Sequence, residues 1–159
     1  MSESTPFGWK QLIELTAEKP PNTSLVEAMP LIKNKEAALD LGAGPLTDSK
    51  YLLNEGFQRI LAVDSESATK EIADKLNDGR LEVVISSFGD FAFPEGQFDL
   101  VNAQRSLFFV SPEKFPTVFK GTLNSLKPGG LFVGQLLAPN DGWNHRTNIN
   151  FHTKEMVQT

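Results

Sequence analysis

Two glycines and one aspartate in this chain have the spacing that a nucleoside-cofactor site requires. Gly42-Ala43-Gly44 closes an apolar run, Ala37 to Leu41, and leads into a segment of helical periodicity. Glycine suits such a turn because the backbone must come close to a ligand and can take positive φ. The N–H groups that open the following helix, together with its dipole, favour an anionic group. A tight structural turn accounts for a Gly-x-Gly pair equally well, and the Leu46-Thr47 that follows supplies no third glycine for a dinucleotide fingerprint. Asp64 shifts the balance toward a ligand. It follows the next apolar run, Arg59 to Val63, 20 positions beyond Gly44, where a carboxylate can accept both ribose hydroxyls of an adenosine. Its competing role is to cap the helix that follows.

Composition narrows the chemistry further. The chain has no cysteine, which excludes disulfides, thiolate zinc sites and a cysteine nucleophile, and no metal centre is expected. A formal charge of −5 argues against nucleic acid as a partner, because phosphate contacts need a basic face. Met1 to Phe7 carries no basic stretch followed by an apolar run, and no apolar segment approaches the roughly 20 residues of a membrane span. A cytoplasmic protein that engages no membrane is therefore expected. No catalytic pair stands out. Arg105 has two readings, a contact for an anionic ligand or one solvated charge. His145 and His152 lie after the fifth strand, where they could border a ligand pocket or serve as surface or capping residues. Trp9, Phe108 and Phe109 could face a cationic ligand, although core packing explains the two phenylalanines better.

The elements that must position these residues alternate. Trp9, Leu12, Ile13 and Leu15 recur at helical spacing until Lys19-Pro20-Pro21 ends the run. A second helix is expected from Asn22–Ser24, shortened at Pro30. Strands are expected at 37–41, 59–63, 81–85, 98–103 and 131–137. Helices lie between them: one through Tyr51 to Gly56, one capped by Ser65 or Ser67 with Gly79 at its exit, and one starting at Ser111-Pro112-Glu113. Thr153 is placed to cap a last helix. Apolar strands alternating with helices indicate a parallel sheet covered on both faces. Right-handed crossovers then lead to an α/β, doubly wound, Rossmann-like sheet of order 3-2-1-4-5. At 159 residues this is one core, 36–159, preceded by an N-terminal helical lid or cap, 1–35.

In their order and spacing DLGAGPL, the AVD that ends the second strand, FDLVNAQ and LKPGGLFV resemble the motif series of class I S-adenosylmethionine (SAM)-dependent methyltransferases. The nearest likeness is to the small bacterial branch that includes the tellurite-resistance methyltransferases. The resemblance runs from about Ala37 to Leu137 and implies SAM as cofactor and methyl transfer to a small-molecule acceptor. It implies that Asp40, Gly42, Ala43 and Gly44 line the methionine end of SAM, that Asp64 binds the ribose with Ser65 beside it, and that Gln104 lies beneath the methionine. Ser87 and Phe88 would meet the adenine, with Asp90 as an alternative carboxylate, and Asp48 would reach the ammonium. Trp9, Arg105 and His145 are the candidates for the acceptor side. The family sheet has seven strands, and the sixth and seventh are not expected here: either the chain is part of a longer one, truncated at the C-terminus, or a partner such as a second copy covers the exposed edge of the fifth strand. Two rival readings stay open: an NAD-type oxidoreductase on the same fold, and a SAM-binding module without catalysis.

Overall fold

The computed structural model describes residues 8–136, apart from the side chains of Trp9, Leu12, Leu15 and Thr16. In chain order these residues form α1 (Gly8–Thr16), α2 (Thr23–Ala28), β1 (Ala37–Leu41), α3 (Thr47–Asn54), β2 (Arg59–Asp64), α4 (Ser67–Leu76), β3 (Leu81–Ile85), β4 (Phe98–Ala103), α5 (Phe115–Asn124) and β5 (Leu126–Gly134). The sheet has the expected order, β3-β2-β1-β4-β5, and every pairing is parallel. All five residues of β1 and all six of β4 are buried, as the central strands of a two-faced sheet must be.

Strand alternation divides the core. Leu39, Leu41, Val63, Val101 and Ala103 face α5, meeting Phe115 and Val118. Ala38, Ile60 and Leu100 face the other way, against Leu25 and Met29 of the α2 region and Leu52 and Leu53 of α3. Asp40 shares this second face by the period of two. The α2 segment is thus part of the core. Among the described residues no helix is long and apolar enough to cross a membrane.

Several boundaries differ from expectation for local reasons. Asn22 caps α2 as foreseen, its side chain accepting from the Ser24 N–H, and Met29–Leu31 continues as a single 3-10 turn at Pro30. Neither Ser65 nor Ser67 caps α4: the Asp64 carboxylate takes the Glu66 N–H instead, and the exit residue is Asn77 at φ +51°, not Gly79. Ser111 opens only a turn, and α5 begins at Phe115. An earlier start would put Pro116, which has no N–H, beyond the first turn. Lys127 to Gly130 forms an irregularity inside β5 and not a turn before it, since Phe98 pairs with Leu126 and Leu100 with Leu131. Expectations for Leu137, His145, His152, Thr153 and the sixth and seventh strands fall outside the described residues.

Candidate functional site

The crevice lies at the carboxyl ends of β1, β2 and β4, where strand order reverses. Gly42 and Gly44 adopt φ +75° and +51°, and the two glycines serve different ends. A Cβ on Gly42 would stand 2.5 Å from Ser106 Cβ, so this glycine lets β1 close on the segment after β4. A Cβ on Gly44 would meet only Ile13 of α1, at 3.8 Å. Leu46 also takes a left-handed backbone, φ +65°, at a cost of about 1–2 kcal/mol. Its side chain is fully buried with Ala43 and Ala62, and burying a leucine returns about 1.5–3 kcal/mol. That burial is what permits a leucine in a left-handed conformation here.

The loop spends its own donors. Gly42 and Ala43 N–H groups donate to the Val63 carbonyl at 2.8 and 3.2 Å, and the Gly44 N–H donates to Asp64 Oδ2 at 2.8 Å. The Gly44 carbonyl accepts from Thr69 Oγ1 at 2.8 Å. The Gly44 peptide is held on both sides, by β2 through Asp64 and by α4 through Thr69. Asp64 also accepts from the Glu66 N–H at 2.9 Å. Burial raises its pKa, while the N–H groups of Glu66, Gly44 and Ser65 pull it down.

Beneath the loop runs a buried polar chain. Asp40, 2% exposed, accepts from Ser49 Oγ at 2.6 Å and from Asn102 Nδ2 at 3.0 Å. Asn102 Nδ2 also donates to Asp48 Oδ2 at 3.0 Å, and its Oδ1 accepts from Gln104 Nε2 at 2.8 Å. Gln104 Oε1 accepts from Ser24 Oγ at 3.1 Å, and Asp48 Oδ1 accepts from the Asn22 N–H at 2.8 Å. Burial first, then the Asp48 charge, pushes the Asp40 carboxyl up to about 7 against the pull of Ser49 and Asn102. Both Asp40 oxygens are thus engaged within this chain. Above this chain is a cavity of about 190 Å³ lined by Lys19, Pro20, Asn22, Gly42, Ala43, Pro45, Thr47, Asp48 and Gln104.

The remaining expected residues are spread around the rim. Ser65 and Ser87 are exposed. Ser87 Oγ donates to Asp90 Oδ2 at 2.9 Å, so Asp90 turns back onto its own loop. Phe88 is half-buried, packs on the α5-side core and lies 3.7 Å from the Cβ that Gly42 lacks. Arg105 is exposed, at φ +51°. Phe108 and Phe109 are buried, with ring centroids 4.6 Å apart. The Trp9 ring and His145 lie outside the described residues. Sequence reasoning missed Asn102, whose one signal was a polar residue inside a buried strand. It also missed Ser24, Ser49, Thr69 and Ser106, for which small hydroxyls at helix starts and in loops give no signal.

Residues 38–130 match the model of a family described as a methyltransferase domain. An uncharacterized methyltransferase of Synechocystis sp. is 30% identical over 62% of this chain and 45% of its own length. A sarcosine/dimethylglycine N-methyltransferase of Halorhodospira halochloris is 31% identical over 60% of this chain and 35% of its own. The chain spans less than half the length of both relatives. The crystal structure of the N-methyltransferase NodS from Bradyrhizobium japonicum, in complex with S-adenosyl-L-homocysteine, superposes with a TM-score of 0.62 at 15% identity, over 79% of this chain and 71% of that one. None of these three carries the tellurite-resistance description.

Proposed function

Because this chain belongs to the methyltransferase-domain family by residues 38–130, we propose that it binds SAM in the crevice above β1 and β4 and transfers its methyl group to a small-molecule acceptor. The observation that carries this reading is the charge of the crevice. Asp48 lines the cavity and Asp64 holds the glycine turn, whose three N–H groups are already spent. Such a wall suits a ligand with sulfonium and ammonium charges and repels a pyrophosphate, which speaks against the NAD-type alternative.

When bound, the cofactor supplies a methyl group already activated by its sulfonium. The chain's residues then bind and align. Asp64 keeps acceptor capacity for ribose hydroxyls beyond the two N–H groups it holds, since an ionised carboxylate has about four lone-pair sites. Phe88 offers backbone and ring to the adenine, with Ser87 beside it. Asp48 takes the ammonium and Gln104 supports the methionine from below. Ile13 is 6% exposed and seated on Gly44, which supports α1 as a lid that excludes water. Arg105, exposed and held in an uncommon backbone conformation beside Gln104, is the group for an anionic acceptor. Thermal-shift titration tests the reading: S-adenosylhomocysteine should raise the melting temperature and NAD should not. The opposite order would return the chain to the oxidoreductase alternative. Transfer of labelled methyl from SAM to small amines and carboxylates separates an enzyme from a binding module.

A further inference from the structure

We propose that Asp40, Asn102 and Asp48 make cofactor binding proton-linked: the ammonium of the cofactor, docking at Asp48, drives a proton from the buried Asp40 to solvent. The proposal rests on the SAM reading above and adds to it a regulation by pH. Asn102 Nδ2 donates both to Asp40 Oδ1 and to Asp48 Oδ2, at 3.0 Å each. The two carboxylates therefore share one amide and bring oxygens within about 6 Å of each other, where like charges oppose ionisation. Only Asp48 lines the cavity, whereas Asp40 is 2% exposed. A ligand can thus change the charge that Asp40 feels without touching it. The elements around Asp40 supply no compensating cation. Asp48 and the neutral Ser49 come from α3, Asn102 from β4 and Asp64 from the end of β2, while α2 turns the uncharged Leu25 to the same sheet face. Lys19, in the connection from α1 to α2, is the basic residue of the cavity wall, and neither it nor any of the three aspartates makes an ion pair among the described residues. Burial and the Asp48 charge accordingly raise the Asp40 carboxyl to about 7. Ser49 suits both states: its hydroxyl, 2.6 Å from Asp40 Oδ2, donates to the carboxylate and can turn to accept from the carboxyl O–H. An ammonium at Asp48 cancels the opposing charge. The Oδ2–H bond of Asp40 then breaks, its electron pair stays on Oδ2, and the proton passes to the solvent buffer. Cofactor affinity rises with pH across the range in which the free chain still holds that proton.

The test compares S-adenosylhomocysteine with 5′-methylthioadenosine, which lacks the amino-acid part. Between about pH 5.5 and about pH 7.5, calorimetry should find the parent's affinity for S-adenosylhomocysteine rising roughly threefold to tenfold, as a lowering of about one pKa unit gives. Its affinity for 5′-methylthioadenosine should stay flat. Titrations near pH 6.5 in two buffers of different ionisation enthalpy should show about half a proton released per S-adenosylhomocysteine and none per 5′-methylthioadenosine, a readout that needs no variant. Asp40→Asn mimics the protonated form. It should bind S-adenosylhomocysteine at every pH as weakly as the parent does at low pH, with no proton released. A parent whose S-adenosylhomocysteine affinity is independent of pH, with no proton released, would overturn the coupling and leave SAM binding intact. The same pH slope for both ligands would overturn it too, because the amino-acid end would not be the trigger. So would an Asp40→Asn variant that keeps the parent's slope, which would put the proton on another group. A parent that binds neither ligand would overturn the SAM reading itself and the coupling with it.

Discussion

Asp40 sits between two donors, Ser49 and Asn102, and near two other carboxylates, with burial the dominant influence. Its carboxyl is raised from 3.8 to about 7, so the folded chain holds a proton there that the unfolded chain releases. The stability this group contributes is therefore complete below about pH 4, is lost as pH rises toward 7, and stays lost above. Asp40→Asn keeps the shape and removes the titration. Urea unfolding should find the variant more stable than the parent at pH 8, on the order of 1–3 kcal/mol, and no more stable at pH 4. A gap independent of pH would refute the assignment. The two glycines separate at the same scale. Gly42→Ala meets both a left-handed backbone and Ser106 Cβ at 2.5 Å, and should cost about 2–4 kcal/mol of stability. Gly44→Ala has room beside Ile13 and should cost only about 1–2 kcal/mol. Thermal melts of the two variants check the difference.

At the scale of elements, the site is made where α1, α3 and α4 meet strand ends. The α4 start is tied to the glycine turn through Thr69, and α2 is tied to β4 through Ser24 and Gln104. In contrast, α1 touches the site through Ile13 over Gly44. If α1 is the lid, S-adenosylhomocysteine should slow amide hydrogen exchange across Gly8–Thr16, and Ile13→Ala should remove that protection and weaken binding roughly threefold to tenfold. Protection that is the same with and without ligand would leave α1 a packing element only.

Across the whole molecule, the two ends of the sheet carry separate tasks. The crevice occupies the carboxyl ends of the strands. At the opposite end Asp99, 7% exposed, accepts from the Glu36 and Ala37 N–H groups at 3.1 and 3.0 Å and from Lys127 Nζ at 3.2 Å. It joins the starts of β1, β4 and β5. Asp99→Ala leaves the Glu36 and the buried Ala37 N–H groups without this partner and should cost about 1–3 kcal/mol, while calorimetry should find S-adenosylhomocysteine affinity within twofold of the parent. A large affinity loss would mean that the two ends are coupled.

The strand order, the two-faced core and the place of the crevice were legible in the residues, because apolar runs alternating with helical periods leave one right-handed way to pack. Gly42, Gly44 and Asp64 were legible too, since a strand-to-helix turn and a strand end are local events. The role of each was not. Gly42 is required by Ser106, 64 positions away, and Asp40 is engaged by Asn102, a partner on another strand. Likewise, Lys19 reaches the cavity wall only because α2 docks on α3 and β4. Ser111 looked like a helix start because its own sequence favours one, yet Pro116 moved that start to Phe115. Local chain chemistry set which segments form and where they turn. Which polar atoms are paired depended on contacts between segments far apart in sequence, and only the packed structure brings those together.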